Sequence, residues 1–251
     1  IEFRSHVGDA MWRAFWDHVF ALASLLAPVL LGAALGNLVR GVPLDGEGWF
    51  ALPLFESFSP LGELGILDWF TVLAGVFALL ALTHHGALFL AWKTDGALRE
   101  RSRAWAARLL PLTVAAWIGT TLALPRVAPE LLPVVPGRPL ALLATLLALA
   151  GLAASLPLRR SERDLLAFVA SCAFLFGLLA ATAAAMYPTM LKASGDAALS
   201  LTAENSAAGE LSLRRGLAWW PVGGVLAVAY LAMLFGLHRG KVPHPIEGPG
   251  H

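Results

Sequence analysis

His84 and His85 are the two strongly polar side chains set deep inside a long apolar run of this 251-residue chain. An ionisable group in such a place is costly to keep and points first to function. A neutral imidazole can hold haem iron or a metal, or hydrogen-bond between helices. Neighbouring residues on a helix point about 100° apart, so the two cannot serve one site. Haem would also need a second axial partner, and no other apolar run offers a His or an evident Met pair. Hydrogen bonding at a helix–helix or subunit contact is the better reading. Asp17 follows Phe15-Trp16 at the start of the first apolar run, with Glu2 and Arg4 shortly before it. Carboxylates at the mouth of a span can gather protons for an internal path; they can equally be solvated or paired with Arg13. Asp68, just before Trp69, reads as a helix N-cap or first-turn acid, favourable to the helix dipole. Glu2, Arg4, Asp17, Asp68, His84 and His85 are the candidates for a proton path or a subunit interface. No catalytic, cofactor-binding or metal-binding set is read. There is no phosphate loop, no Gly-x-Ser-x-Gly and no His-Glu-x-x-His. Cys172, the sole cysteine, is a small packing residue.

The elements that must position these groups are six runs of 17 to 24 residues without Asp, Glu, Lys or Arg: 19–39, 69–92, 109–125, 140–158, 165–187 and 217–237. At about 1.5 Å per residue most of them cross a hydrocarbon core of roughly 30 Å. Hydrophobic residues make up 58% and charged residues 14%, well under the share usual for soluble chains. The net charge of +1 leaves no field that would recruit nucleic acid. The expected fold is all-α, a polytopic membrane helix bundle with six spans, over 1–251 as one domain. Gly32-Ala-Ala-Leu-Gly36 allows close backbone approach to a neighbour it does not specify. Pro28, Pro111 and Pro221 are placed to kink their spans, and Pro125, Pro139 and Pro188 to mark loops. Pro188–Gly216 reads as a long loop on the outer face, with a mildly amphipathic stretch from Leu199 to Ala208.

Alternate loops differ in charge. Twelve Lys and Arg residues lie on one side, among them Arg4, Arg13, Lys93, Arg99, Arg103, Arg108 and Arg239; six lie on the other. The positive-inside rule then places both ends of the chain in the cytoplasm. Trp12, Trp16, Trp69, Trp92, Trp219 and Trp220 sit at span ends, where aromatic belts form. Trp117, mid-span, reads as packing bulk.

Strings along the whole chain carry a family likeness. In order they are IEFRSHV, WRAFWDHVF, LLGAALGNLVRGVPL, GILDWFTVLAG, HHGALFLAWKTDG, Met186-Tyr-Pro, SLTAENSAA and WWPVGGVLAVAYLAMLF with Arg239-Gly-Lys-Val. The chain resembles subunit II of the cytochrome bd-type quinol oxidases, particularly the cyanide-insensitive branch. Family subunits have nine spans, so the resemblance implies that about three N-terminal helices are missing. It also implies a non-haem membrane subunit of a terminal quinol:O2 oxidoreductase. Haems b and d reside in partner subunit I; this chain supports that subunit and helps deliver cytoplasmic protons for reduction of O2 to water. Some family members bind a structural quinone in subunit II. Partners are then subunit I, membrane lipid and quinol, in a bacterial cytoplasmic membrane. The arginine of the family's FEFR-type string falls on Arg4 and its WD aspartate on Asp17. SLTAENSAA departs from the commoner SLT-x-x-NAAS at its end. The rival classes are a secondary transporter, which six nearly charge-free spans disfavour, and a purely structural membrane assembly protein.

Overall fold

The computed structural model describes residues 4, 8–50, 52–158 and 161–241. Helices dominate them: α1 (Ala10–Arg40), α2 (Trp69–Lys93), α3 (Gly96–Val127), the short α4 (Leu131–Val134), α5 (Pro139–Leu158), α6 (Asp164–Met186) and α7 (Glu210–Leu237). All but α4 are long and apolar enough to cross a membrane, giving the six expected spans. Local signals set their ends. Asp9 accepts from Met11 N to start α1, and Gly41 ends it at φ 93°, a conformation that favours glycine. Pro139 opens α5 as its first residue, where a missing N–H costs nothing. Two expectations shift. Pro125 lies inside α3 rather than in a loop, and α7 begins at Glu210, inside the predicted 188–216 loop. α1, α3 and α7 run unbroken through Pro28, Pro111 and Pro221.

Small residues decide the packing. The Gly32/Gly36 pair meets α2: a methyl added at Gly32 would lie 2.6 Å from Ala78 Cβ, and one at Gly75 would lie 2.7 Å from Val29 O. On the far side of the bundle, methyls at Gly151 and Gly177 would come within 2.6 Å of α6 and 2.5 Å of α5 backbone. In lipid such close approach replaces the hydrophobic effect as the source of helix affinity. α3, α2, α6 and α5 thus form a connected group, with α1 on the other face of α2. α7 stands apart and buries none of its residues. It is tied on by Lys93 Nζ donating to His238 O at 3.1 Å and by an ion pair of Lys241 with Asp95. Large apolar side chains such as Leu143, Phe176 and Trp220 face outward, which only lipid or another membrane chain tolerates on this scale.

At the end of the bundle where α1 stops, two loops close over the helices. Residues 41–68 meet residues 187–209 through a bridge of Val42 with Ala193. The second loop folds on itself as β1 (Thr189–Leu191) and β2 (Leu201–Thr202). Asn205 closes that turn: its Oδ1 accepts from Thr202 N at 2.7 Å and its Nδ2 donates to Ser200 O at 2.9 Å. Arg138 donates to Ala184 O, Ala185 O and Tyr187 O and so caps the C-terminal carbonyls of α6. These two ends of the bundle, the Arg40 end and the Lys93 end, hold the polar groups of interest.

Candidate functional site

At the Arg40 end, Asp68 caps α2. One carboxylate oxygen accepts from Phe70 N and Thr71 N, both at 3.0 Å, while Thr71 Oγ1 accepts from Asp68 N at 2.8 Å. This is the reciprocal capping box, and it bears out the N-cap reading. The other oxygen forms an ion pair with Arg40. Arg40 also donates to Asn37 Oδ1 and, at 3.2 Å, to Gly65 O. Gly41 caps the C-terminus of α1, and Asn37, one turn earlier, donates to Ala33 O and Ile66 O, at 3.0 and 2.9 Å. Asn37, Arg40, Asp68 and Thr71 are all buried. A dry pair of this kind is tolerable because each charge has a partner and further hydrogen bonds. It ties the end of α1 to the start of α2, with both Asp68 oxygens engaged.

The histidines turn to different helices, as their adjacency demands. His84 is buried, and its Nδ1 lies 3.0 Å from Ala106 O of α3. A carbonyl only accepts, so Nδ1 carries the proton and Nε2 keeps a free lone pair. His85 Nδ1 lies 2.8 Å from Ser171 Oγ of α6, and its ring stacks on Phe168. Ser171 Oγ donates to Phe168 O at 2.7 Å, so it accepts from His85. Both imidazoles therefore join helices. Trp117 meets Phe174 edge to face, again a packing contact between α3 and α6.

A crevice opens beside His84 at the Lys93 end, between α2, α3, α5 and α6. Its lining includes His84, Leu88, Arg103, Ser155, Ser161 and Asp164. Asp164 is clamped by Arg99 Nε at 2.7 Å and Arg103 Nη1 at 3.0 Å, and Arg103 Nη2 donates to Ser161 O at 2.6 Å. This clip joins the starts of α3 and α6. Sequence reading missed it, although a lone carboxylate at the head of a span facing the basic run 99–108 was a usable signal. It also missed the partnership of Arg40 with Asp68, which are 28 positions apart.

Arg4 and Asp17 meet outside the bundle, with Arg4 Nε 2.5 Å from the carboxylate and both side chains about half exposed. Arg4, rather than Arg13, is thus the partner of Asp17. Glu2 lies outside the described residues. A second groove, lined by Pro60, Trp69, Leu73, Leu122, Ala123 and Arg126, is apolar and suits a hydrocarbon tail. Among the described residues no three metal-ligating side chains converge. Away from the spans, partial burial pushes the Glu130 carboxyl up, but the Lys192 ammonium bonded to it prevails and holds it below the usual carboxylate range.

Comparison with known proteins agrees with this architecture. Residues 1–237 match the family described as cytochrome bd terminal oxidase subunit II. Over 105 residues the chain is 33% identical to cytochrome bd-I ubiquinol oxidase subunit 2 of Escherichia coli (strain K12), covering 42% of this chain and 26% of that one. It is 29% identical over 109 residues to cytochrome bd ubiquinol oxidase subunit 2 of Bacillus subtilis (strain 168), covering 43% and 30%. The aligned stretch thus spans between a quarter and a third of these relatives' length. A solved bd oxidase from Geobacillus thermodenitrificans shares the fold with a TM-score of 0.68 at 21% identity, covering 93% of this chain and 67% of that chain.

Proposed function

We propose that this chain, which belongs to the cytochrome bd terminal oxidase subunit II family, is the non-haem membrane subunit of an O2-reducing quinol oxidase. It packs against the haem-bearing subunit I, which carries haems b and d, and contributes to proton delivery from the cytoplasm. The family match along residues 1–237 carries this reading. Three further observations support it. The outward faces of α1 and α7 are apolar along most of their length, as an intramembrane partner requires. His84 turns to α3 and His85 to α6, so the two rings do not converge on one site, which supports a non-haem chain over a bis-histidine one. The Lys and Arg bias supports a cytoplasmic Lys93 end. A structural quinone on this chain would find apolar lining in the groove between α2 and α3.

The test is purification of the intact oxidase followed by removal of subunit I. Quinol oxidation and all b and d haem absorption should leave with subunit I. Haem absorption retained on this chain would overturn the non-haem assignment. Ion-driven solute uptake by liposomes carrying this chain would favour a transporter instead. For proton delivery, Glu2→Gln and Asp17→Asn are compared with the parent oxidase in proton uptake at equal assembly.

A further inference from the structure

We propose that the groove between α2 and α3 at the Arg40 end is a site for one membrane phospholipid, its phosphate held by Arg126 and its acyl chain laid in the groove. The inference rests on the membrane spans and not on any redox role. Arg126 lies in the last turn of α3, and Trp69 is the first residue of α2. Both line the groove, so the end nearest the aqueous phase carries a guanidinium and an indole N–H. Neither donates to an acceptor among the described residues. Neighbouring basic groups are already taken: Arg40 by Asp68, Lys192 by Glu130, and Arg138 by the carbonyls that end α6. Glu130, four residues beyond Arg126, is thus bonded to Lys192 and not to Arg126.

Below these donors the lining is apolar. It runs past Leu73 and Leu122 to Gly119, seven residues and about 10 Å before Arg126 along α3. A methyl at Gly119 would come no nearer than 4.0 Å to Leu73 Cδ1. Here the glycine leaves room between the helices, where Gly32 and Gly75 instead let backbones touch. The space is about 340 Å³, within the range of small-molecule sites. It opens toward lipid, since Leu122 is 68% exposed within a span. Pro60 of the 41–68 loop closes the rim, and Leu61 beside it is 97% exposed, which suits contact with lipid. A quinone tail would fit the same walls, but its ring carbonyls bear no charge. A phosphodiester bears one, and a guanidinium can donate two parallel N–H bonds to its oxygens. An arginine at a span end, beside a tryptophan of the aromatic belt, sits at the depth of lipid phosphates. One lipid would then join α2, α3 and the 41–68 loop.

Photolabelling of the intact oxidase tests it. The probe is phosphatidylglycerol with a diazirine on its acyl chain, and labelled peptides are mapped by mass spectrometry. Labelling of the other spans gives the non-selective background. Residues 69–73 and 119–126 should be labelled severalfold above it. Unlabelled phosphatidylglycerol should compete, and a long-chain quinone should not. Arg126→Gln should bring the labelling down to background, and Arg126→Lys should keep part of it. Gly119→Leu, which fills the groove with Arg126 in place, should abolish it. Quinol oxidation by each preparation shows that the variant has assembled, and competition in the parent is read without any variant. Equal labelling in the parent and Arg126→Gln overturns phosphate recognition. Competition by the quinone alone makes the groove a quinone site and overturns the phospholipid. Background labelling in the parent, as when another chain covers the groove, overturns the site itself.

Discussion

The two ends of the bundle treat buried polarity in opposite ways. At the Arg40 end every partner is supplied from within: Asp68 caps α2 and pairs with Arg40, and Arg40 holds Asn37 and Gly65 O. At the Lys93 end the clip of Asp164 with Arg99 and Arg103 is only partly buried, and His84 beside it has a nitrogen to spare. A satisfied network specifies which helices meet. A buried group with unspent hydrogen-bonding capacity can take a water molecule in the space beside it. Residue type alone would have ranked Asp68 and His84 together; their surroundings separate them.

The sharpest way to break this contrast is at the closed end. Arg40→Ala leaves Asp68 charged and buried, and should cost about 3–5 kcal/mol. Thermal unfolding of the purified oxidase should show it as loss of assembly or a large fall in midpoint. Asp68→Asn keeps the cap but strands the guanidinium, so it should destabilise comparably. Behaviour like the parent in both variants would mean that the end is not a lock. At the open end Asp164→Ala removes a partner from two arginines that water can still reach, and about 1–2 kcal/mol is expected. A loss equal to that of Arg40→Ala would erase the distinction between the ends.

Smaller effects refine the comparison. His85→Phe keeps the stack on Phe168 and loses the bond to Ser171, a loss of about 1 kcal/mol in the same melt. The smallest concerns the loop pair of Glu130 with Lys192. The folded carboxyl lies below its ordinary value, so its contribution is fully present above the unfolded pKa of about 4.3 and fades as pH falls through the folded value. Half-exposed as it is, the pair should add well under 1 kcal/mol. Glu130→Gln should lower the midpoint slightly at neutral pH and not at all once both states are protonated. A larger effect in acid would reverse the sign argued here.

Much of the fold was legible in the chain. Runs of 17 to 24 residues without a charge read as spans, and the six helices follow them. Helix ends were less so. The basic stretch 96–108 joins α3, and Glu210–Gly216 joins α7, because polar residues continue a helix readily where water meets lipid. The cap at Asp68 was readable because capping depends on residues three apart. Its ion pair with Arg40 was not, since sequence distance says nothing about which loop ends meet. The partner of the Gly32/Gly36 face was equally hidden: α2 answers it with Gly75 and Ala74, which carry no signal of their own among so many small residues.

The amino-acid sequence by itself determined that this chain lives in lipid, where it crosses and which family it joins, because hydropathy and local strings are properties of short stretches. Only the tertiary structure decided which of the ionisable groups is spent and which is spare. That depends on partners brought together by packing: Arg40 with Asp68, Arg103 with Asp164, and His84 with one carbonyl and one small space for water.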